Sequence, residues 1–429
     1  MPATLLETRV ASAPVVFEGA ALRAKKVFVD GTHRCVPPEA TLARISPLLR
    51  AAGITRLADV SGLDRVGFTT VVSIRPNAKL LSTSAGKGFS RTAAYVSAAM
   101  EGIEMHHAEN PTLAVIDASY DELSRAHAVI SPDRLPFARQ HRFSRSRPEA
   151  WVRGWDLIAG QSTYVPYLSV ALVRPPSQSP ALDFAFTVDS NGLASGNHLL
   201  EAMSSALCEL IERDAVSCHR VAGARTAYRP PLVDLDALTM PLVQDLLTRF
   251  AQAGLRAAVR DCTVDTCVPV FMAQLFDERD RHVGIFGGWG AHLDAEIALV
   301  RAMTEAAQSR VIFVSGARDD IFRLDERMAR HEDTASTVAK LSAPGTRAHT
   351  AQFPGGSTST FEGDIHVLVE RLSRAGARQV IIVDLTRDDF GVPVVRAIVP
   401  DLEGYYGPDY VAGPRATAFT ARCRTECGA

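Results

Sequence analysis

Two stretches of the chain carry the same side chains at the same spacing: Ser97-Ala-Ala-Met-Glu101-Gly-Ile-Glu104 and Ser205-Ala-Leu-Cys-Glu209-Leu-Ile-Glu212, the second followed by Arg213. Each is a serine, a glutamate four positions on, and another glutamate three positions later. On an α-helix those offsets bring all three side chains to one face. The intervening Ala, Met, Leu, Ile and Cys make both helices apolar enough to be largely buried. Two carboxylates one turn apart repel, and a buried carboxylate without a counter-charge costs several kcal/mol or gives up its charge. Four such glutamates call for cations, and a divalent metal carrying a phosphate ligand suits an all-oxygen donor set.

Two further groups fit that chemistry. Ser84-Ala-Gly86-Lys87-Gly88 precedes the first patterned helix. Glycines beside a lysine let backbone N–H groups and an ammonium approach phosphate oxygens. The stretch is neither a Walker loop nor a dinucleotide fingerprint, and read alone it is a surface turn. The third group is Arg301-Ala-Met-Thr-Glu305-Ala-Ala-Gln308-Ser-Arg310. Arg301 and Glu305 stand at i, i+4, where a surface salt bridge is the ordinary reading. Against it, the Ala-rich surroundings and Ile312-Phe313 predict a helix with little solvated surface. Glu305 and Gln308 are then oxygen donors for metal or nucleotide, and Arg310 a phosphate partner.

The elements that must position these groups alternate loosely between helix and strand, which predicts an α/β, or layered α+β, architecture. Strands are expected at Lys26 to Asp30, Thr70 to Arg75, Leu113 to Asp117, Phe184 to Val188, Leu255 to Cys262, Val268 to Leu275, Val283 to Phe286, Val380 to Leu385 and Val394 to Val399. Helices are expected at Glu39 to Ala52, Thr92 to His107, from Asn197 to about His219, Leu235 to Ala253, Asp294 to Ser315 and Asp364 to Ala375. Gly86-Lys87-Gly88 is expected to open a loop. Residues 1–24 read as a flexible start, 25–420 as the catalytic domain and 421–429 as a tail. The Arg-, Pro- and Ser-rich stretch 144–180 reads as an exposed loop or subdomain boundary. The repeated helix motif, 108 positions apart, predicts two similar halves.

Composition narrows the partners. The 429 residues carry a formal net charge of -2 with 47% hydrophobic and 22% charged residues, ordinary for an enzyme with a large core. Nothing in that balance calls for nucleic acid or an anionic membrane. No transmembrane run or signal segment is apparent, so the chain is expected in the cytoplasm. Seven cysteines, thinly spread, argue against a disulfide framework. Cys262/Cys267 read as structural thiols; Cys423/Cys427 do as well, although a sulfur-handling role there is conceivable. Asp64-Arg65 divides between a turn ion pair and a site role. His106-His107 read as dipole caps ending the first patterned helix, and Trp151 and Trp155 as packing. No nucleophile elbow and no H-E-x-x-H zinc signature is present.

Taken together, the glycine–lysine stretch, the twin serine–glutamate–glutamate helices with Arg213, and the Glu305/Gln308 helix resemble the nucleotide-binding elements of the YcaO family, in order and in kind. Gly53-Ile-Thr-Arg56, Ser61-Gly-Leu-Asp-Arg65, Asp189-Ser-Asn-Gly192 and Val395-Arg-Ala-Ile-Val-Pro400 support the likeness, which extends from about Gly31 to Glu403. The resemblance implies a YcaO-type fold around a central ATP and Mg2+ site, and an enzyme that activates a backbone amide of a ribosomally made peptide. It implies metal ligation by Glu101, Glu104, Glu209, Glu212 and Glu305, with Glu209, Glu212 and Arg213 at the catalytic centre. Nucleotide contacts are expected from Lys87, Ser97, Ser205, Arg213, Gln308 and Arg310. Azoline-forming members end in a proline-rich tail and use a fused leader-binding domain. The ending Arg422-Cys-Arg-Thr-Glu-Cys-Gly-Ala429 and the Gly31-Thr-His-Arg34 start look more like stand-alone members that make thioamides with a TfuA-type sulfur-delivery partner. The resemblance also admits a homodimer. Azoline formation with a separate leader-binding partner is the runner-up; a non-catalytic accessory protein or a metabolic kinase are the remaining readings.

Overall fold

The computed structural model describes residues 13–137, 143–175, 185–277, 284–316, 353–404 and 410–426, together with Ser336, Val338, Ala339 and Leu341. Among them the helices are α1 (Pro38–Ile45), α2 (Arg91–Glu109), α3 (Tyr120–Leu123), α4 (Leu199–Arg225), α5 (Pro241–Gln252), α6 (Ala295–Ser315), α7 (Phe361–Arg374) and α8 (Pro414–Glu426). The strands are β1 (Val15–Phe17), β2 (Ala20–Leu22), β3 (Arg56–Asp59), β4 (Thr69–Ile74), β5 (Thr83–Gly88), β6 (Val115–Ser119) and β7 (Pro148–Asp156). They continue with β8 (Gln161–Pro166), β9 (Leu193–Ser195), β10 (Leu255–Asp261), β11 (Val270–Asp277), β12 (Ile285–Ala291), β13 (Ile381–Asp384) and β14 (Val394–Ile398). The mixed α/β class expected from the pattern is present.

The chain forms two compact units, each assembled from separated stretches. One comprises Met1–Val27, Ile103–Arg229 and Ser357–Ala429; the other comprises Phe28–Gly102 and Pro230–Gly356. In the first, β6, β7, β13, β14 and β9 follow one another in an antiparallel sheet, with β8 also paired to β7. Its core gathers Trp151, Val152, Phe186, Ile381, Val383 and Val394, all 1% exposed or less. Helix α4 is capped by His198, whose Nδ1 accepts from the Leu200 amide at 3.2 Å and so satisfies one of the helix's open donors. Burial pushes the His198 imidazole below its ordinary pKa, against the pull of Glu201 and Glu362, and a neutral ring is the form that can accept.

The second unit repeats a scheme. Strands β3-β4-β5 form one antiparallel sheet and lead into α2; β10-β11-β12 form another and lead into α6. In both, the last strand carries glycines two apart against alanines of the following helix. A Cβ on Gly86 would lie 2.0 Å from the Ala98 nitrogen, and one on Gly288 would lie 2.2 Å from the Ala306 nitrogen. Only glycine permits so close an approach of backbone to backbone. Asp294 caps α6, accepting from the Glu296 and Ile297 amides at 2.9 and 3.3 Å, and left-handed Gly316 ends it.

Several local expectations are revised. Gly86-Lys87-Gly88 lies in strand β5, paired with β4 as Val71 to Gly86 and Thr70 to Lys87; the glycines serve helix packing, not a turn. The described part of 144–180 carries β7 and β8, with Trp151 completely buried. Its polar residues mask an alternating strand pattern. Residues 15–22 form the β1–β2 hairpin, with Val15 and Phe17 buried, in place of a flexible start. Lys26 to Asp30 makes only an isolated bridge, Phe28 to Arg34. The tail is helical as far as Glu426, and Cys423 is buried there; Cys427 lies outside the described residues. Helix α2 continues past His107, which is buried, its Nδ1 2.7 Å from the Ile103 carbonyl oxygen. Burial holds its pKa below the ordinary value, so His107 is no charged cap. No helix among the described residues is long and apolar enough to cross a membrane.

Candidate active site

In the second unit, β5 and α6 bring three expected residues together. Lys87 projects from β5 and its Nζ donates to Gln308 Oε1 at 3.0 Å, with Glu305 Oε2 3.9 Å away. The Gln308 amide nitrogen donates to the Ala85 carbonyl at 2.5 Å. These groups are half-buried, so the charges lie neither in free water nor in a dry core. Arg301 does not pair with Glu305. Its guanidinium has no hydrogen-bond or ion-pair partner among the described residues, and its Nε is buried. A half-buried, unmatched cation one turn from Glu305 is a residue that the i, i+4 rule misreads.

Arg310 departs from expectation. It is 4% exposed, and its Nε and Nη2 donate to Asp64 at 2.8 and 3.1 Å. Its charge is matched by a buried carboxylate, a pairing that ties α6 to the Ser61–Arg65 stretch. Asp64 and Arg65 likewise do not pair with each other: Arg65 binds the fully buried Asp277. The Ser61-Gly-Leu-Asp-Arg65 stretch thus sends one charge to α6 and the other to β11. Ser97 is half-buried on α2, and Glu101 is exposed.

In the first unit the carboxylates lie along α4. Glu212 is 3% exposed, while Ser205 and Glu209 are half-buried. Arg213 Nη2 reaches Glu209 Oε1 at 3.5 Å. One turn before Ser205 the same stripe begins with Glu201, 2% exposed, whose Oε1 accepts from Asn197 at 3.1 Å. Glu201 extends the pattern Glu–Ser–Glu at steps of four, a signal present in the sequence but hidden by attention to the triplet alone. Asp214, next to Arg213, accepts from Arg415 Nε at 2.8 Å and from the Glu403 amide at 2.9 Å. Glu104, on α2, accepts from the Ser195 amide at 2.7 Å.

As a donor set these carboxylate oxygens suit Mg2+, a hard cation that takes oxygen ligands. Lys87 and Arg301 are cations of the kind that pair with phosphate oxygens. The match of a family model to residues 85–403, described as YcaO cyclodehydratase, ATP- and Mg2+-binding, decides the assignment. The chain belongs to the YcaO family. It is a member of a family of ATP-dependent peptide-modifying enzymes that bind ATP and Mg2+.

Relatives agree. This YcaO chain is 32% identical over 392 residues to an uncharacterised protein in the tfuA 3' region of Rhizobium leguminosarum bv. trifolii, covering 89% of this chain and 91% of that protein. It is 34% identical over 381 residues to an uncharacterised protein of Methanothermobacter thermautotrophicus, covering 86% and 95%. Among solved structures, the YcaO of Methanopyrus kandleri bound with AMPPCP and Mg2+ superposes with TM-score 0.70 at 26% identity, covering 91% of this chain and 98% of that one. A heterocyclase in complex with substrate and cofactor gives 0.76 at 23% identity and shares the fold; this chain covers 56% of its length.

Proposed function

We propose that this YcaO enzyme replaces the oxygen of a backbone amide with sulfur in a ribosomally synthesised peptide, at the expense of ATP. The observation that carries this reading is the relative in the tfuA 3' region, matched over nearly the whole of both chains. The sulfur donor is then a TfuA-like protein that delivers sulfide. The balance is simple: the amide carbon gains sulfur and loses its oxygen, which leaves on phosphate, while ATP becomes ADP. An amide oxygen is a poor leaving group, and ATP supplies the phosphoryl group that makes it a good one.

The protein's part is charge and position. We assign Glu104, Glu209 and Glu212, with Glu101 and Glu305, as the oxygen ligands of Mg2+, and Ser97 and Ser205 as hydrogen-bond donors to the nucleotide. Lys87, Arg213 and Arg301 offset triphosphate charge. Glu201, held by Asn197, extends the α4 carboxylate row. Because the matching family model carries the description cyclodehydratase, ring closure by a Cys, Ser or Thr side chain on the activated amide is the second reading.

One incubation separates the two. Enzyme, ATP, Mg2+, sulfide and a candidate precursor peptide are followed by mass spectrometry. Sulfur-for-oxygen exchange is the expected result; loss of water would transfer the assignment to azoline formation. An unchanged peptide with no ATP turnover, in the presence of a TfuA-like protein, would count against both.

A further inference from the structure

Gln308 is held by two contacts of opposite kind, and together they fix which way its amide points. Lys87 Nζ can only donate, so the group 3.0 Å from it is the amide oxygen. The Ala85 carbonyl can only accept, so the group 2.5 Å from it is the amide nitrogen. The ambiguity that attends most glutamine side chains is thereby removed. Ala85 and Lys87 are two apart on β5, so the amide of one α6 side chain spans the strand's backbone and its cation. Gly86 lies between them. Its missing side chain lets the alanines of α2 close on the strand, which holds β5 rigid at this point. On α6, Arg310 pairs with buried Asp64 two residues beyond Gln308 and fixes the helix in turn.

We propose that Gln308 is a positioning residue: it acts through Lys87, holding the ammonium in a set direction, and its contribution to nucleotide use passes through that lysine. The proposal rests on the reading of Lys87 as a triphosphate contact. A flexible lysine loses rotamer entropy when it binds phosphate, and a neutral acceptor that pre-orients it removes part of that cost while leaving the charge intact. Glutamate would not substitute. It would neutralise Lys87 and set a carboxylate oxygen against the Ala85 carbonyl.

The test is a double-mutant cycle on the full chain with Gln308→Leu, Lys87→Met and both together, following KM and kcat for ATP with Mg2+. Gln308→Leu is expected to raise KM for ATP about tenfold, the loss of one charge-assisted hydrogen bond, with kcat changed less. Lys87→Met is expected to raise it at least as much. In the Lys87→Met background, Gln308→Leu should then do almost nothing, since the group it orients is gone. Gln308→Asn, too short to span both contacts, should behave as Gln308→Leu. Equal, multiplicative losses in both backgrounds would overturn the proposal and make Gln308 an independent contact. An unchanged KM in Lys87→Met would overturn the phosphate reading itself, and this inference with it. Thermal melts within a few degrees of the parent for all variants separate these results from unfolding.

Discussion

The serine–glutamate–glutamate pattern occurs twice at identical spacing, yet its copies meet different surroundings. On α4, Glu212 is 3% exposed and is flanked by Leu207, Ile211 and Ala215, all completely buried. On α2 the corresponding positions loosen: Glu104 is half-buried and takes a backbone amide, while Glu101 faces water. The reason lies in what covers each helix. α4 packs against β9, β14, α7 and α8, whereas the N-terminal part of α2 lies on the glycine face of β5 through Ala94 and Ala98, with Arg91 and Glu101 exposed. Equal spacing sets equal direction; burial sets how much each charge depends on a cation. A carboxylate withdrawn from water has lost its hydration, so on the metal-ligand reading proposed above the buried copy depends on a bound cation more than the solvated one does.

If that holds, Glu212→Gln is the most damaging single change. It should cut Mg2+-dependent phosphate release from ATP by about a hundredfold or more, because no water can take the lost ligand's place. Full activity would break the comparison at its strong end. Glu104→Gln should cost less, about tenfold in the same assay, since the neutral amide oxygen still accepts from the Ser195 amide and keeps α2 tied to β9. A loss as large as that of Glu212→Gln would show that the hydrogen bond, not burial, ranks these groups.

The same contrast explains what could be read from residues alone. Helix periodicity and the 4 and 3 spacing are local, and α2, α4 and α6 stand where the pattern puts them. What escaped depends on partners far along the chain. Arg310 reads from its neighbours as a phosphate partner, and nothing local announces that Asp64, 246 positions away, pairs with it. Gly86-Lys87-Gly88 has turn composition, yet it is a strand because a helix needs to approach its backbone. The polar run around Trp151 conceals β7, whose partners β6 and β13 lie on either side of it in the sheet and far apart in sequence. The i, i+4 spacing offers Arg301 a salt bridge with Glu305, which the structure does not form; Arg301 Nε is instead buried without a hydrogen bond.

At the weak end stands Glu101→Gln. Exposed groups are well solvated and their ionic contributions are screened, so a two- to fivefold loss of ATP turnover is expected. Raising salt should narrow the gap between this variant and the parent, and should barely change the deficit of Glu212→Gln. A Glu101→Gln enzyme as inactive as Glu212→Gln would mean that bound nucleotide withdraws this side chain from water, and that burial before binding does not rank the two copies.

The smallest effect concerns the end of α2. His107 is buried against Phe390, with ring centroids 5.0 Å apart, and burial lowers its pKa from the ordinary 6.5. A folded-state pKa below the unfolded one gives a contribution that is complete above 6.5. It is lost as pH falls below that value, because the unfolded chain takes up a proton the folded chain resists. A charged helix cap would do the reverse and strengthen α2 in acid. Melting temperatures at pH 7.5 and 5.5 distinguish the two, with His107→Phe as the reference because a phenyl ring can keep the contact with Phe390 and cannot titrate. The parent should lose roughly 1–3 °C more than His107→Phe on acidification. An equal or smaller loss would mean that the ring carries its proton in the folded chain, and that the helix bearing the looser copy of the motif ends on a charge after all.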